Sequence, residues 1–483
     1  MLPGLLHKRA AAPFSKERQR NMYETVSAIS TPHGKGGIAV IRITGAEAIG
    51  VADRVFFPKN GKKLSEIPSN LSVFGGIRKE DAEIDTGVAV VFRAPKSFTG
   101  EDTVEISCHG GILLAESVLE STFLAGALPA GPGEFTKRAF LNGKLSLSQA
   151  EAVMELIEAE SEEKILLSAK KTKGSLTKKL DALIGELKYL LASTYAFIDY
   201  PDEDLTDVTP EEMEKRIGDL EEKLKTLVDG YRSGKAISEG IPTVIAGKPN
   251  SGKSSLMNAI LGEDRAIVSD IAGTTRDTIE EKAVVGKVIL RLCDTAGIRD
   301  SDDPIEAEGV RRAERKLDAA ELILAVFDTS RPEDADDERL LSLLADEKAA
   351  GKEIIVLFNK SDLPARLSPA FVSRAAALSG TAITVSAGKE EIAPLTGEIE
   401  KRYLSGAVGI DTGELVTNAR QHASLMQALD AVRSAREALR SGITQDVASL
   451  DLELALARLS ETDGRAASEA VVNEIFSHFC VGK

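Results

Sequence analysis

The run Gly247-Lys248-Pro249-Asn250-Ser251-Gly252-Lys253-Ser254 fits G-x-x-x-x-G-K-[ST], the pattern of a loop that wraps nucleoside phosphates. Its glycines let backbone N–H groups turn toward the phosphates at a helix N-terminus. The Lys253 ammonium reaches the outer phosphates and the Ser254 hydroxyl is suited to Mg²⁺, with Ser251 and Ser255 beside them as further contacts. Asp294-Thr295-Ala296-Gly297 adds a carboxylate that can hold Mg²⁺ through water and a glycine N–H that can sense a γ-phosphate. In Asn359-Lys360-Ser361-Asp362, the Asp362 carboxylate can accept two N–H bonds from guanine, a pattern adenine does not offer, while Asn359 reads the base edge and the Lys360 stem covers the ring. Ser386-Ala387-Gly388 can close over the base. The later segments, taken singly, are ordinary turn compositions. In this order, each after a strand-like run, they select GTP.

Between the first two segments lies Gly273-Thr274-Thr275-Arg276-Asp277. A threonine hydroxyl there, assigned to Thr275, completes the Mg²⁺ shell while a γ-phosphate is present and leaves after hydrolysis, which makes an order–disorder switch. Ras-type enzymes orient the attacking water with a glutamine. Here Ile298 follows Gly297, and an aliphatic chain cannot do this. Glu306, in the carboxylate-rich run Asp302-Asp303-Pro304-Ile305-Glu306, is the candidate in its place; the alternative is a solvated acidic loop.

The elements that must position these groups follow from texture. From Tyr23 to Lys144 the chain is glycine-rich with short β-branched runs at 38–41 and 88–92, which reads as an α+β domain. From Leu145 to Gly240 the period becomes helical: Leu176, Leu180, Leu183, Ile184, Leu187 and Leu191 recur at three- and four-residue steps, as do Met213, Ile217, Leu220, Leu224 and Leu227. Thr209-Pro210-Glu211-Glu212 reads as a helix start, and 199–204 as an acidic loop, since Pro201 disfavours helix before it. Short apolar runs at 241–246, 288–293, 322–327, 354–358 and 383–385 suit a buried, mostly parallel sheet. Helical periodicity returns after Gly413 through Leu425, Leu429 and Val432. The expected architecture is multidomain α+β and α/β: an N-terminal domain at 22–144, a helical domain in two parts at 145–240 and 406–483, and an α/β nucleotide domain inserted at 241–405.

Bulk properties bound the partners. The 483 residues are 43% hydrophobic, enough for about three domains at roughly 150 residues each. Three cysteines without a C-x-x-C pair supply neither a disulfide framework nor a metal site, which suits a reducing, cytoplasmic setting. No apolar run approaches the roughly 20 residues of a membrane span, and the basic residues before Met22 read as an extension rather than a transit peptide. A net charge of −16 argues against broad affinity for nucleic acid, so an RNA partner must meet a local basic patch or a basic second protein.

Outside the nucleotide domain, Arg42-Ile43-Thr44-Gly45, Ser97-Phe98-Thr99-Gly100-Glu101-Asp102, His109-Gly110-Gly111, Pro132-Gly133-Glu134-Phe135-Thr136, the run from Arg138 to Leu145 and the terminal Phe479-Cys480-Val481-Gly482-Lys483 give the chain from Met22 onward a resemblance to the MnmE (TrmE) family of tRNA-modifying GTPases. Val481 stands where isoleucine is usual. The resemblance implies a Ras-like GTPase domain within the helical domain and a homodimer. It also implies an N-terminal domain that binds a tetrahydrofolate one-carbon donor, in the 5-formyl or methylene form, through Arg42, Glu105, Lys144 and Lys483. It further implies K⁺ held by Asn250, Ser269, Ile271 and Thr274 in place of an arginine finger, Glu306 as the water-orienting residue, and a partner, MnmG (GidA), that carries FAD. Together they would aminomethylate C5 of the tRNA wobble uridine, and a partner that supplies most of the tRNA surface would suit an acidic chain.

Cys480 has two readings: a catalytic thiol beside the one-carbon donor, or a small buried residue that packs the tail. Two rival functions are an Era-like GTPase of ribosome assembly, which leaves the N-terminal domain and the tail unexplained, and a regulatory GTP switch without folate chemistry.

Overall fold

A computed structural model describes residues 24–199, 209–263, 281–292, 320–406 and 409–483. They fall into two compact units. One comprises the described residues up to Met154 with 172–185 and 456–483; the other comprises 155–171 and 186–455.

In the first unit, strands β1 (Val26–Ile29), β2 (Ile38–Thr44), β3 (Phe56–Pro58), β4 (Ser72–Lys79), β5 (Ala82–Phe92), β6 (Thr103–His109) and β7 (Leu128–Pro129) form a sheet in the order β3-β4-β5-β6-β2-β1-β7. Neighbours are antiparallel except β1 and β7. Strand alternation separates the faces. Ile41, Ile43, Val104, Ile106 and Cys108 are buried with Ala48, Val51, Ala52 and Val55 of helix Ala48–Val55 and with Ala115 and Val118 of helix Ile112–Leu124. Ile38, Val40 and Arg42 alternate with them and pair across the ladder with His109, Ser107 and Glu105. At the other end of the chain, Phe476 and Phe479 pack with Leu147 and Ala150. The terminal segment closes against β1: a Cβ on Gly482, which has φ 94°, would stand 2.1 Å from the Ile29 carbonyl, so glycine is required there.

The second unit contains β8 (Ile241–Gly247), β9 (Glu281–Val285), β10 (Val288–Leu292), β11 (Leu322–Asp328), β12 (Glu353–Asn359) and β13 (Ile383–Thr384) in the order β13-β12-β11-β8-β10-β9. All pairs are parallel except β9 with β10. Leu256, Ile260, Leu395 and Ile399 cover one face, and Leu341, Leu344, Phe371 and Ala375 cover the other, which gives a doubly wound sheet. The five apolar runs anticipated from sequence are strands. β9 was not anticipated: Glu281-Lys282 opens it with two charges, and as an edge strand it buries only Ala283 and Val285 instead of running apolar.

The anticipated helical stripes are the buried ones: Leu176, Leu180, Leu183, Leu187, Met213, Ile217, Leu220, Leu224, Leu425, Leu429 and Val432 all lie in the core. Thr209 caps helix Pro210–Asp229, its hydroxyl accepting from Glu212 N at 3.2 Å. Asp199, expected in the acidic loop, instead ends helix Ser175–Asp199, because the restraint from Pro201 acts only on the residue before it. Among the described residues, no helix is long and apolar enough to cross a membrane.

Candidate nucleotide and one-carbon sites

β8 has β10 on one side and β11 on the other, so the chain leaves β8 where the strand order reverses, the crevice in which open α/β sheets bind ligands. The phosphate-loop residues occupy that turn and lead into helix Lys253–Glu263. Asn250 (φ 61°) and Gly252 (φ 95°) make the turn, and a Cβ on Gly252 would lie 2.1 Å from Asn359 Nδ2. The glycine is therefore set by the close approach of Asn359 as well as by the turn.

Asn359 is buried. Its Nδ2 donates to the Ser251 carbonyl at 2.9 Å and its Oδ1 accepts from Ala387 N at 3.0 Å. The carboxamide thus ties the phosphate loop to the Ser386-Ala387-Gly388 turn, and one amide hydrogen remains for a base edge. Reading the base, the role expected from sequence, is then at most half of what Asn359 does. Lys360 Nζ donates to the Asn250 carbonyl at 2.9 Å and to Asp328 Oδ2 at 2.7 Å. Ser386 Oγ donates to Asp362 Oδ1 at 2.8 Å, and that bond, first among several causes, holds the Asp362 carboxyl below its ordinary value, so it stays an acceptor.

Two groups in this turn suit contact with an anion. Burial lowers the Lys253 pKa, and among the described residues the ammonium donates to the Lys248 carbonyl at 2.7 Å. Ser251 Oγ is buried without a hydrogen-bond partner among the described residues. A partly desolvated ammonium is stabilised by phosphate oxygens. Ser254 and Ser255 stand exposed at the start of the helix. Ser269, Ile271, Thr274, Thr275, the Asp294-Thr295-Ala296-Gly297 turn and Glu306 lie outside the described residues. Sequence reasoning missed Asp328, buried at the end of β11; the signal was a lone carboxylate closing an otherwise apolar strand.

In the first unit, Arg42 and Glu105 face each other across β2 and β6, with Nε donating to Oε1 at 2.8 Å. The Arg42 guanidinium lies 5.4 Å from the Phe135 ring centre and 6.0 Å from that of Phe98. Phe135 N donates to the Lys483 carbonyl at 3.0 Å, and Ser30 Oγ donates to the Gly482 carbonyl at 2.9 Å. Arg42, Glu105 and the terminal residue are thereby gathered around Phe135. Lys144 Nζ donates to the Pro95 carbonyl at 3.0 Å instead of joining that pair. The assembly is supported by Arg138, 2% exposed, which donates to Glu134 at 3.0 Å, to Glu101 at 2.9 Å and to the Glu24 carbonyl at 2.9 Å. Cys480 is exposed, so the reading of it as a buried packing residue does not hold; the neighbouring Phe479 fills that role and leaves the thiol open.

The chain matches two family models, the MnmE helical domain over residues 147–480 and the GTP-binding protein TrmE N-terminus over residues 25–144. A tRNA modification GTPase MnmE of Carboxydothermus hydrogenoformans is 39% identical over 465 residues, 96% of this chain and 100% of that relative. The proteins of the same description from Lactiplantibacillus plantarum and Geobacillus kaustophilus are each 39% identical, over 465 and 473 residues, with 95% of this chain and 99% of the relative covered.

Proposed function

The chain belongs to the MnmE family of tRNA modification GTPases, and on that premise we propose that it hydrolyses GTP to drive aminomethylation of C5 of the tRNA wobble uridine, as a cytoplasmic homodimer working with the FAD-dependent protein MnmG. The observation that supports GTP is the phosphate loop at the switch point of the sheet, tied through Asn359 and Lys360 to the segment that carries the Asp362 acceptor. In this reading Ser254 and Thr275 hold Mg²⁺, Asn250 with Ser269, Ile271 and Thr274 holds K⁺, and Glu306 orients the water. Both cations would neutralise charge developing on the phosphates. This chain's contribution is to fix the phosphate loop through Asn359 and Lys360. The one-carbon donor, a tetrahydrofolate derivative, would lie against Arg42 and Glu105, whose ion pair is partly exposed beside Phe98 and Phe135.

The test is the wobble-uridine content of tRNA from a deletion strain that expresses the wild type, Arg42→Ala or Cys480→Ser. The wild type restores the modification. Arg42→Ala is expected to abolish it while GTP turnover in the purified protein stays within about twofold. Cys480→Ser is expected to do the same, because the hydroxyl replaces a thiol of similar size but lower nucleophilicity. Full modification by the Cys480 variant would remove the thiol from the chemistry, and full modification by the Arg42 variant would remove the folate assignment.

A second expectation concerns the monovalent ion. GTP turnover in K⁺ should exceed that in Na⁺ of equal ionic strength by about a hundredfold or more, the scale on which one charge-stabilising group acts. Asn250→Ala should erase the difference, and equal rates of the wild type in both salts would refute the K⁺ ligand set.

A further inference from the structure

Asp328 closes β11, is 5% exposed and ends an otherwise apolar strand. Its Oδ2 accepts from Lys360 Nζ at 2.7 Å, while Oδ1 accepts from Ser330 N at 2.9 Å and Ser330 Oγ at 2.6 Å. Arg331 Nε lies 3.6 Å from Oδ2. Although burial alone would raise the Asp328 pKa, the hydrogen bonds from Lys360 and Ser330 prevail and hold it below its ordinary value, so the buried group is a carboxylate. Lys360 carries the same ammonium to the Asn250 carbonyl, 2.9 Å away, across the top of the phosphate loop. Lys360 and Asn250 both have left-handed backbones, φ 62° and 61°. Neither residue is glycine, so the conformation must be held by surrounding contacts.

A lysine side chain has four rotatable bonds and loses about 2 kcal/mol of rotamer entropy when fixed. A bond to one backbone carbonyl offsets only part of that cost, and an exposed carboxylate would add little. A buried carboxylate, itself fixed by two bonds from Ser330, is a rigid counter-charge with little water to compete for it.

We propose that Asp328 is a positioning residue of the nucleotide site: it fixes Lys360 in the orientation that bonds to Asn250, and thereby keeps the lysine stem in place over the base and the phosphate loop in its binding shape. This rests on the assignment of the crevice to a guanine nucleotide. Asp328 acts through Lys360, on the rate at which nucleotide leaves.

The experiment measures release of fluorescent N-methylanthraniloyl-GDP from the full chain after a chase with unlabelled GDP, for wild type, Asp328→Asn, Lys360→Ala and the double variant. Asp328→Asn keeps the shape and the bonds from Ser330 but loses the charge. It is expected to speed release by about tenfold or more, the size of one charge-assisted hydrogen bond. The double variant should release no faster than Lys360→Ala alone, because once the lysine stem is gone the carboxylate has nothing to position. Rates that multiply in the double variant would overturn the proposal and make Asp328 a support of the Ser330 turn. Unchanged release by Asp328→Asn would overturn it too. Failure of the wild type to hold the probe would refute the nucleotide assignment itself, which is a different result.

Discussion

Replacing Asn359 by alanine is expected to weaken GDP binding by about a hundredfold or more in calorimetric titration, with the sheet still folded. Among the described residues, the carboxamide is the one side chain that bonds to both the phosphate loop, at the Ser251 carbonyl, and the Ser386-Ala387-Gly388 turn, at Ala387 N. Truncation leaves a buried acceptor and a buried donor without partners, each at a cost of about 1–3 kcal/mol. In the free protein the two turns can relax apart and let water in; nucleotide binding must then restore them, so the cost appears in the affinity, where each 1.4 kcal/mol is about tenfold. The loss would exceed that of one base hydrogen bond, because three segments lose their register at once. Asn359→Asp should not rescue, since it keeps an acceptor for Ala387 N but turns a carboxylate toward the Ser251 carbonyl. A tenfold loss or less for Asn359→Ala would show that Asn359 serves only the base edge.

The second large effect is expected in the helical part of the second unit. Lys171 is fully buried and donates to both carboxylate oxygens of Glu155 at 2.8 Å and to the Thr417 hydroxyl. It joins helices Leu147–Ile157 and Glu162–Thr172 to the residue just ahead of helix Ala419–Arg440. Lys171→Ala leaves Glu155, 14% exposed, without its counter-charge and opens a cavity. The expected loss is about 3–5 kcal/mol, the range for a broken buried ion pair. Lys171→Met with Glu155→Gln removes both charges and keeps the volume, and should recover more than half of that loss. Chemical denaturation of the full chain, followed by helical circular dichroism, distinguishes these outcomes. A loss below about 1 kcal/mol for Lys171→Ala would show that water takes the lysine's place.

How far each site was legible depended on whether its residues are neighbours in sequence. The phosphate loop was readable because a glycine turn before a helix needs its residues consecutive, and Gly247 to Ser254 are. Arg42 and Glu105 came only through resemblance. They are 63 residues apart, and only the β2–β6 register sets them opposite each other. Asp328, Arg138 and Lys171 were missed for a related reason: a charged residue shows in sequence as exposed by default, and only its partners reveal that it is buried and paired. Of the two readings of Cys480, the buried one failed because residue type sets only an average burial, while the packing slot beside it was filled by Phe479.

By itself the sequence determined five of the six strands of the doubly wound sheet, the helical stripes and the order of the nucleotide-binding segments, because periodicity and turn chemistry are local properties of the chain. Only the tertiary structure decided that Asn359 and Lys360 brace the phosphate loop. Only it gathered Arg42, Glu105 and Lys483 around Phe135 and partly desolvated the Lys253 ammonium. Those properties depend on distances of a few ångströms between residues far apart in the chain. Such distances are set by strand register and packing, and burial then fixes how strongly the charges act.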